Sequence, residues 1–222
     1  MTQIQRIGIL TGGGDCPGLN AAIRGIGKTA IFQHGWEVVG ICDGYKGLVE
    51  NRTKKLGIDE LSGILTRGGT ILGTNNRVSP DRYIEGTDEA GSPLFVNAID
   101  RCIATLNKHD IDVLFVVGGD GTFTCTKPLI EAGIPCVGVP KTIDNDIVGT
   151  DLTIGFTTAA RIGTMALDRL HSTGDSHHRV MVCELMGRNA GWLTLSSGLA
   201  SGADVILIPE IPFDMQQICH FV

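Results

Sequence analysis

The chain has 222 residues, 42% hydrophobic and 19% charged, with a formal net charge of −6. That length permits one large α/β domain or two modest ones, and the apolar share excludes a disordered chain. The negative balance argues against a general nucleic-acid or acidic-membrane binder, and no apolar stretch is long enough to span a bilayer, so a cytoplasmic protein is expected.

In chain order, short β-branched runs alternate with helical patterns. A strand at 6–10, "RIGIL", runs into the glycine-rich "TGGGDCPG" and a helix over about 19–33. A strand at 36–42, "WEVVGIC", is followed by a short helix at "IDELSGILT" and an exposed irregular stretch at 73–93. An amphipathic helix is expected over 95–109, then the clearest strand, "DVLFVVGGDGT", a helix over 122–132 and a strand at 135–139. Beyond it come a helix over 157–171, a strand at 179–185, a helix over 190–200 and a strand at 203–209. Continuous apolar strands are buried on both faces, as in parallel sheets, and their alternation with helices implies βαβ units. Ligands of such sheets sit at the carboxyl ends of the strands, where the unusual motifs of this chain fall.

Four motifs could carry chemistry. In "GILTGGGDCPGLNAAIR" (8–24), glycines let backbone N–H groups approach a phosphate ahead of a helix N-terminus. The spacing is neither a P-loop nor GxGxxG, and a tight βα turn without a ligand would read the same. In "VVGGDGT" (116–122), Asp120 offers a hard oxygen suited to Mg²⁺, Gly121 leaves space beside it, and Thr122 is placed to cap the next helix or donate to a phosphate. In "PKTIDND" (140–146), Thr142, Asp144 and Asp146 alternate, so an extended segment would aim them to one side as base and metal holder. Capping and Asx-turn roles are the competing reading of that aspartate pair. In "ELMGRNAGW" (184–192), Arg188 stands where a strand would meet a helix, placed to grip a phosphoryl group; a surface arginine would read the same. His177 and His178 read as solvated loop residues. The seven cysteines, with no CxxC pair, read as buried, reduced thiols, with Cys42, Cys136 and Cys183 inside apolar strand-like runs.

Together and in this order, these blocks resemble the phosphofructokinase family. The likeness runs through "DGYKGL" (43–48), "RGGTILGT" (67–74), "VVGGDGT", "PKTIDNDIVGTDLTIGFTTA", "MGRNAGWLTL" and "VILIPE". The block from Pro140 to Ala159 is the specific one; NAD and lipid kinases share little beyond the GGDG element. The resemblance implies an α/β fold of Rossmann-like, three-layer α/β/α domains with mostly parallel sheets. A donor domain over 1–155 would precede an incomplete sugar-phosphate domain over 156–222.

It also implies roles in Mg²⁺-dependent phosphorylation of fructose 6-phosphate, a step of glycolysis. Asp144 would take the proton of the sugar 1-hydroxyl, Asp120 and Asp146 would serve Mg²⁺, and Thr142 and Arg188 would attend the transferring phosphoryl group. Gly13, Gly14, Gly119, Gly121 and Thr122 would line the donor site, with Arg77 and Lys141 on donor phosphates. Met186, Gly187 and Arg188 would shape the sugar-phosphate pocket, and Arg179 would cross to an adjacent subunit, making the enzyme a homo-oligomer, dimer or tetramer.

The donor is set by two residues that disagree. Pyrophosphate users of the family typically carry Asp where this chain has Gly121, a carboxylate that would crowd the α-phosphate of ATP. ATP users of the bacterial type typically carry Gly where this chain has Lys141, an ammonium suited to pyrophosphate. An open space is permissive, and a lysine serves either terminal phosphate, so ATP is expected, with pyrophosphate the alternative. Catalytic members of the family continue beyond the equivalent of Val222. The expectation is therefore a shortened chain of little activity, and a non-catalytic remnant that binds nucleotide is the reading of a different class.

Overall fold

The computed structural model describes residues 4–222. The chain divides into two compact units between Lys141 and Thr142, earlier than the 155/156 boundary expected from sequence.

The first unit is built on a mixed, mostly parallel sheet. Its strands are β1 (Arg6–Thr11), β2 (Glu37–Ile41), β3 (Thr53–Lys55), β6 (Val113–Gly118) and β7 (Cys136–Thr142, whose last residue opens the second unit), in the order β3-β2-β1-β6-β7. β1 is parallel to β2 and β6, and β6 to β7; only β3 runs antiparallel. Helices α1 (Leu19–His34), α2 (Gly44–Val49), α3 (Ile99–Lys108) and α4 (Asp120–Glu131) provide the connections, with a small hairpin of β4 (Tyr83–Thr87) and β5 (Pro93–Val96) outside the main sheet.

Successive strand residues point to opposite faces, and both faces here are covered. Leu10, Val39, Ile41, Leu114 and Val116 pack with Tyr45 and Leu48 of α2, Cys102 and Leu106 of α3 and Leu129 of α4. Ile7, Ile9 and Val38 are equally buried but alternate to the other face, where α1 packs on β1 and β2. Each such fully buried aliphatic side chain contributes about 1.5–3 kcal/mol relative to an exposed one. α1 is bounded by two glycines in the left-handed region, Gly18 and Gly35, and the Gly35 N–H returns to the carbonyls of Ala30 and Ile31.

The second unit holds the two-residue strand β8 (Ile154–Gly155) and helices α5 (Phe156–His177), α6 (Trp192–Ser201) and α7 (Met215–Phe221). α5 and α6 pack closely because Gly163 faces Ser197: a Cβ at Gly163 would lie 2.5 Å from the Ser197 hydroxyl, which donates to the Ala160 carbonyl.

Several local expectations are corrected. Residues 58–63 are turns rather than a helix: Gly63 takes φ 69°, and the Ser62 hydroxyl returns to the Ile58 carbonyl. Leu61 still reaches the core, packing where Gly27 of α1 has no side chain. The stretch 73–93 is partly ordered as a 3-10 turn (Pro80–Arg82) and the hairpin, whose loop is closed by the Asp88 carboxylate accepting from Ala90 and Ser92 N–H. Residues 95–96 belong to β5, so the following helix starts only at Ile99. "HSTGDSHH" is the end of α5, with His178 as its left-handed cap, rather than a loop.

Segments 179–185 and 203–209 form no strand among the described residues, and Val180 and Val182 are 65% and 90% exposed. An apolar run specifies a demand for burial; a strand exists only when a neighbour takes its hydrogen bonds. None of the seven cysteines is in a disulfide; Cys16 and Cys102 are buried, Cys42, Cys125, Cys136 and Cys183 are only half-buried, and Cys219 is exposed. Burial pushes the Cys102 thiol up to about 12 and Cys136 to about 11.

Candidate active site

Because β1, β6 and β7 are parallel neighbours, their carboxyl ends share one edge of the first unit. Gly13, Gly14, Gly119, Asp120, Gly121, Thr122 and Lys141 all belong to the segments leaving that edge. The glycines are not equivalent. A Cβ at Gly12 would lie 2.5 Å from the Thr122 methyl, and one at Gly118 2.4 Å from the Thr122 Cβ. Gly13 takes φ 80°. Those three are required by packing or backbone. Gly14 and Gly121 are required by neither: a Cβ at either position meets nothing within 4 Å, and neither takes a positive φ.

Thr122 is wedged between the two glycine segments and is buried. It does not cap α4. The helix begins at Asp120 with Gly119 as its N-cap and no side-chain capping bond, so Thr122 is already inside the first turn. Its hydroxyl would lie 3.5 Å from a Cβ on Gly13. Asp120 and Gly121 are exposed at the helix N-terminus.

The loop after β1 is braced by residues that motif reading did not assign. Gly12 N–H donates to the Val117 carbonyl and Gly13 N–H to the Asn75 carbonyl. The Thr74 hydroxyl donates to the Gly13 carbonyl at 2.6 Å, and the Thr11 hydroxyl to Gly73 at 2.8 Å. The sequence signal was the run "RGGTILGTNN", which supplies two threonines and two asparagines beside a glycine loop. Arg77 is exposed just beyond this brace, its N–H held by the Asn75 side chain at 2.8 Å.

Lys141 is 4% exposed, and its ammonium donates to the Gly14 carbonyl at 2.6 Å. Its charge also reaches Cys16. Burial pushes the Cys16 thiol up, Lys141 opposes that shift, and Asp15 adds to it.

In the second unit, the alternation expected of Thr142, Asp144 and Asp146 is broken. β7 ends at Thr142, the Thr142 hydroxyl accepts the Asp144 N–H at 3.1 Å, and Asn145 takes φ 52°. Asn145 is a lock: its side-chain oxygen accepts the Thr153 N–H at 2.9 Å, and its amide donates to the Asp151 carbonyl. The Thr153 hydroxyl closes the turn on the Thr142 carbonyl at 2.7 Å. Asp146 is exposed beside a pocket of about 410 Å³ that Asp151, Val148 and Trp192 also line.

Met186, Gly187 and Arg188 occupy a turn ahead of α6 rather than a strand exit. Gly187 takes φ 136°, and a Cβ there would lie 2.2 Å from the Ala190 carbonyl oxygen, so only glycine fits. Arg188 is exposed at φ 52°, a conformation that costs an ordinary residue roughly 1–3 kcal/mol and that clusters at ligand-handling positions. Arg179 follows α5 directly and is exposed, its N–H on the Gly174 carbonyl.

Residues 6–222 match the family Phosphofructokinase. The chain belongs to the phosphofructokinase family. Among its relatives, it is 52% identical to "ATP-dependent 6-phosphofructokinase 2" of Clostridium perfringens, over all of this chain and 60% of that protein. It is 48% identical to "Pyrophosphate--fructose 6-phosphate 1-phosphotransferase" of Amycolatopsis methanolica, over 98% of this chain and 60% of that one. The solved phosphofructokinase of Saccharomyces cerevisiae superposes with a TM-score of 0.80 at 33% identity, covering 96% of this chain and 30% of that one. The chain thus spans about 60% of the length of these curated phosphofructokinase relatives. Among the described residues, no helix is long and apolar enough to cross a membrane.

Proposed function

We propose that the protein acts as a cytoplasmic, glycolytic 6-phosphofructokinase, transferring the γ-phosphoryl group of ATP to the 1-hydroxyl of fructose 6-phosphate. The observation that carries the choice of donor is Gly121. Neither its backbone angle nor any neighbour requires glycine there, so its open space at the N-terminus of α4 is room for a ligand. The 52%-identical relative named for ATP supports the same donor.

In this reading the first unit handles the donor. Gly14, Gly119 and Gly121 offer backbone N–H groups, Gly13 allows close approach, the Thr122 hydroxyl donates to a phosphate oxygen, and Arg77 supplies charge. The second unit handles the acceptor. Asp144 accepts the proton of the sugar hydroxyl, Thr142 orients the phosphoryl group, and Arg188 stabilises the charge that develops on it. Gly187 and Met186 shape the sugar-phosphate pocket, and Arg179 reaches the sugar phosphate of an adjacent subunit in a homo-oligomer. Asp120 of the first unit and Asp146 of the second are each candidates for magnesium: each is an exposed carboxylate, and the ion needs only one or two beside its waters and substrate phosphates. When bound, the ion neutralises charge on the donor phosphates. The remaining work is positioning and electrostatics.

Pyrophosphate is the second reading, favoured by the buried Lys141 ammonium against the donor loop and by the 48%-identical relative named for that donor. The test compares Mg-ATP and Mg-pyrophosphate with fructose 6-phosphate, measuring binding and bisphosphate formation. Preference for ATP supports the first reading, and preference for pyrophosphate the second. Nucleotide binding without turnover would favour the non-catalytic remnant, and binding of neither donor sinks all three.

A further inference from the structure

Tyr45 lies in "DGYKGL", a block to which the functional reading gives no task. It is 3% exposed, so it cannot be a surface on which a ligand stacks. Its hydroxyl lies 2.6 Å from the Thr126 hydroxyl and 3.2 Å from the Thr122 carbonyl oxygen. The Thr126 hydroxyl lies 2.9 Å from that same carbonyl. Two hydroxyl protons serve three contacts, and the two shorter contacts take them: Tyr45 donates to Thr126, and Thr126 donates to Thr122.

That relay ends on the residue whose side chain separates Gly12 from Gly118. The first turn of α4 is therefore held from beneath by a phenol on α2. The residues directly before Tyr45, at the N-terminal end of the same short helix, touch the brace of the β1 loop. A Cβ on Gly44 would lie 3.0 Å from the Thr11 carbonyl and 3.5 Å from the Asn75 nitrogen, and the Asp43 N–H donates to the Leu72 carbonyl. Burial raises the phenol further above its ordinary range, so its proton stays in place for donation at neutral pH.

We infer that Tyr45, acting through Thr126, is a positioning residue for the donor loops: it sets the height of Thr122 and so the placement of the Gly12–Gly14 backbone and of the N–H groups at Gly119–Thr122. The inference deepens the phosphofructokinase reading and rests on it for the identity of the donor. The relay itself is a property of the first unit.

The test uses Tyr45→Phe, which keeps the ring and removes only the hydroxyl, in the full chain. Amide hydrogen exchange reads the loops without any ligand. Exchange at the hydrogen-bonded Gly12, Gly13 and Phe123 amides should rise about tenfold, with the β4–β5 hairpin unchanged. Calorimetric titration should show the dissociation constant of the bound donor, Mg-ATP or Mg-pyrophosphate, rising by a similar factor. Thr126→Val should reproduce both effects, the double variant should add little to either, and Thr126→Ser, which retains the hydroxyl, should behave as the parent. Unchanged loop exchange in Tyr45→Phe overturns the inference, whichever donor binds. So does raised exchange with an unchanged donor constant, or a lowered melting temperature with neither effect. If loop exchange rises while the parent binds no donor at all, the relay stands and the phosphofructokinase reading fails.

Discussion

The ammonium of Lys141 donates to the carbonyl oxygen of Gly14, joining the end of β7 to the loop that leaves β1. One buried positive charge therefore restrains the segment that the proposed function assigns to the donor.

Lys141→Met should loosen that restraint while filling most of the same volume. Losing a hydrogen bond from a charged group costs roughly 1.5–3 kcal/mol. Titration should show pyrophosphate affinity falling by about tenfold to a hundredfold, and ATP affinity by less, since ATP keeps its other contacts. Equal losses for both donors would remove the support Lys141 lends to the pyrophosphate reading.

Gly121→Asp should leave the fold intact. The new Cβ meets nothing within 4 Å, and an acid in the first turn of α4 adds about 0.3–1 kcal/mol of favourable helix-dipole interaction. Thermal melting should stay level or rise slightly, while ATP affinity falls at least tenfold and pyrophosphate affinity persists. A retained ATP constant would show that the space at Gly121 is not where the nucleotide passes.

Gly12→Ala should behave in the opposite way. Its methyl would lie 2.5 Å from the Thr122 methyl, and forcing the two apart costs roughly 1–3 kcal/mol. Denaturant unfolding should register the loss, and Thr122→Ser in the same chain should recover part of it by removing the clashing methyl. No recovery would mean that the cost arises in the backbone instead.

Asp112 accepts the N–H groups of Gln5 and Arg6 at 2.8 and 2.9 Å, which holds its carboxyl below the ordinary carboxylate range. Its contribution to stability is complete above the unfolded-state value near 4 and declines as pH falls through the lower folded value. Melting temperatures between pH 6 and pH 2.5 should fall less steeply in Asp112→Asn than in the parent. Parallel curves would assign the acid sensitivity to other carboxylates.

Much of the first unit was legible because its signals are local. β1, β2 and β6 are apolar runs closed by glycine or charge, and each motif glycine stands where a strand leaves the sheet. What escaped depends on partners distant in sequence. Nothing near Tyr45 announces that its hydroxyl serves Thr126, and nothing in "RGGTILGTNN" says that Thr74 and Asn75 brace Gly13. The alternation read into "PKTIDND" failed because Asn145 adopts a left-handed conformation, which asparagine tolerates and an extended segment would not contain. The apolar runs at 179–185 and 203–209 look like strands by hydrophobicity alone, which is silent on who pairs with them.

The wedge at Thr122 also bears on how donor choice can change by mutation. A side chain at Gly12 or at Gly118 would enter the space that Thr122 fills, so neither glycine changes singly without a cost in stability. Gly14 and Gly121 carry no such obligation. Drift or a directed library can enter the donor loops through those two doors, one residue at a time, without first dismantling the wall between them.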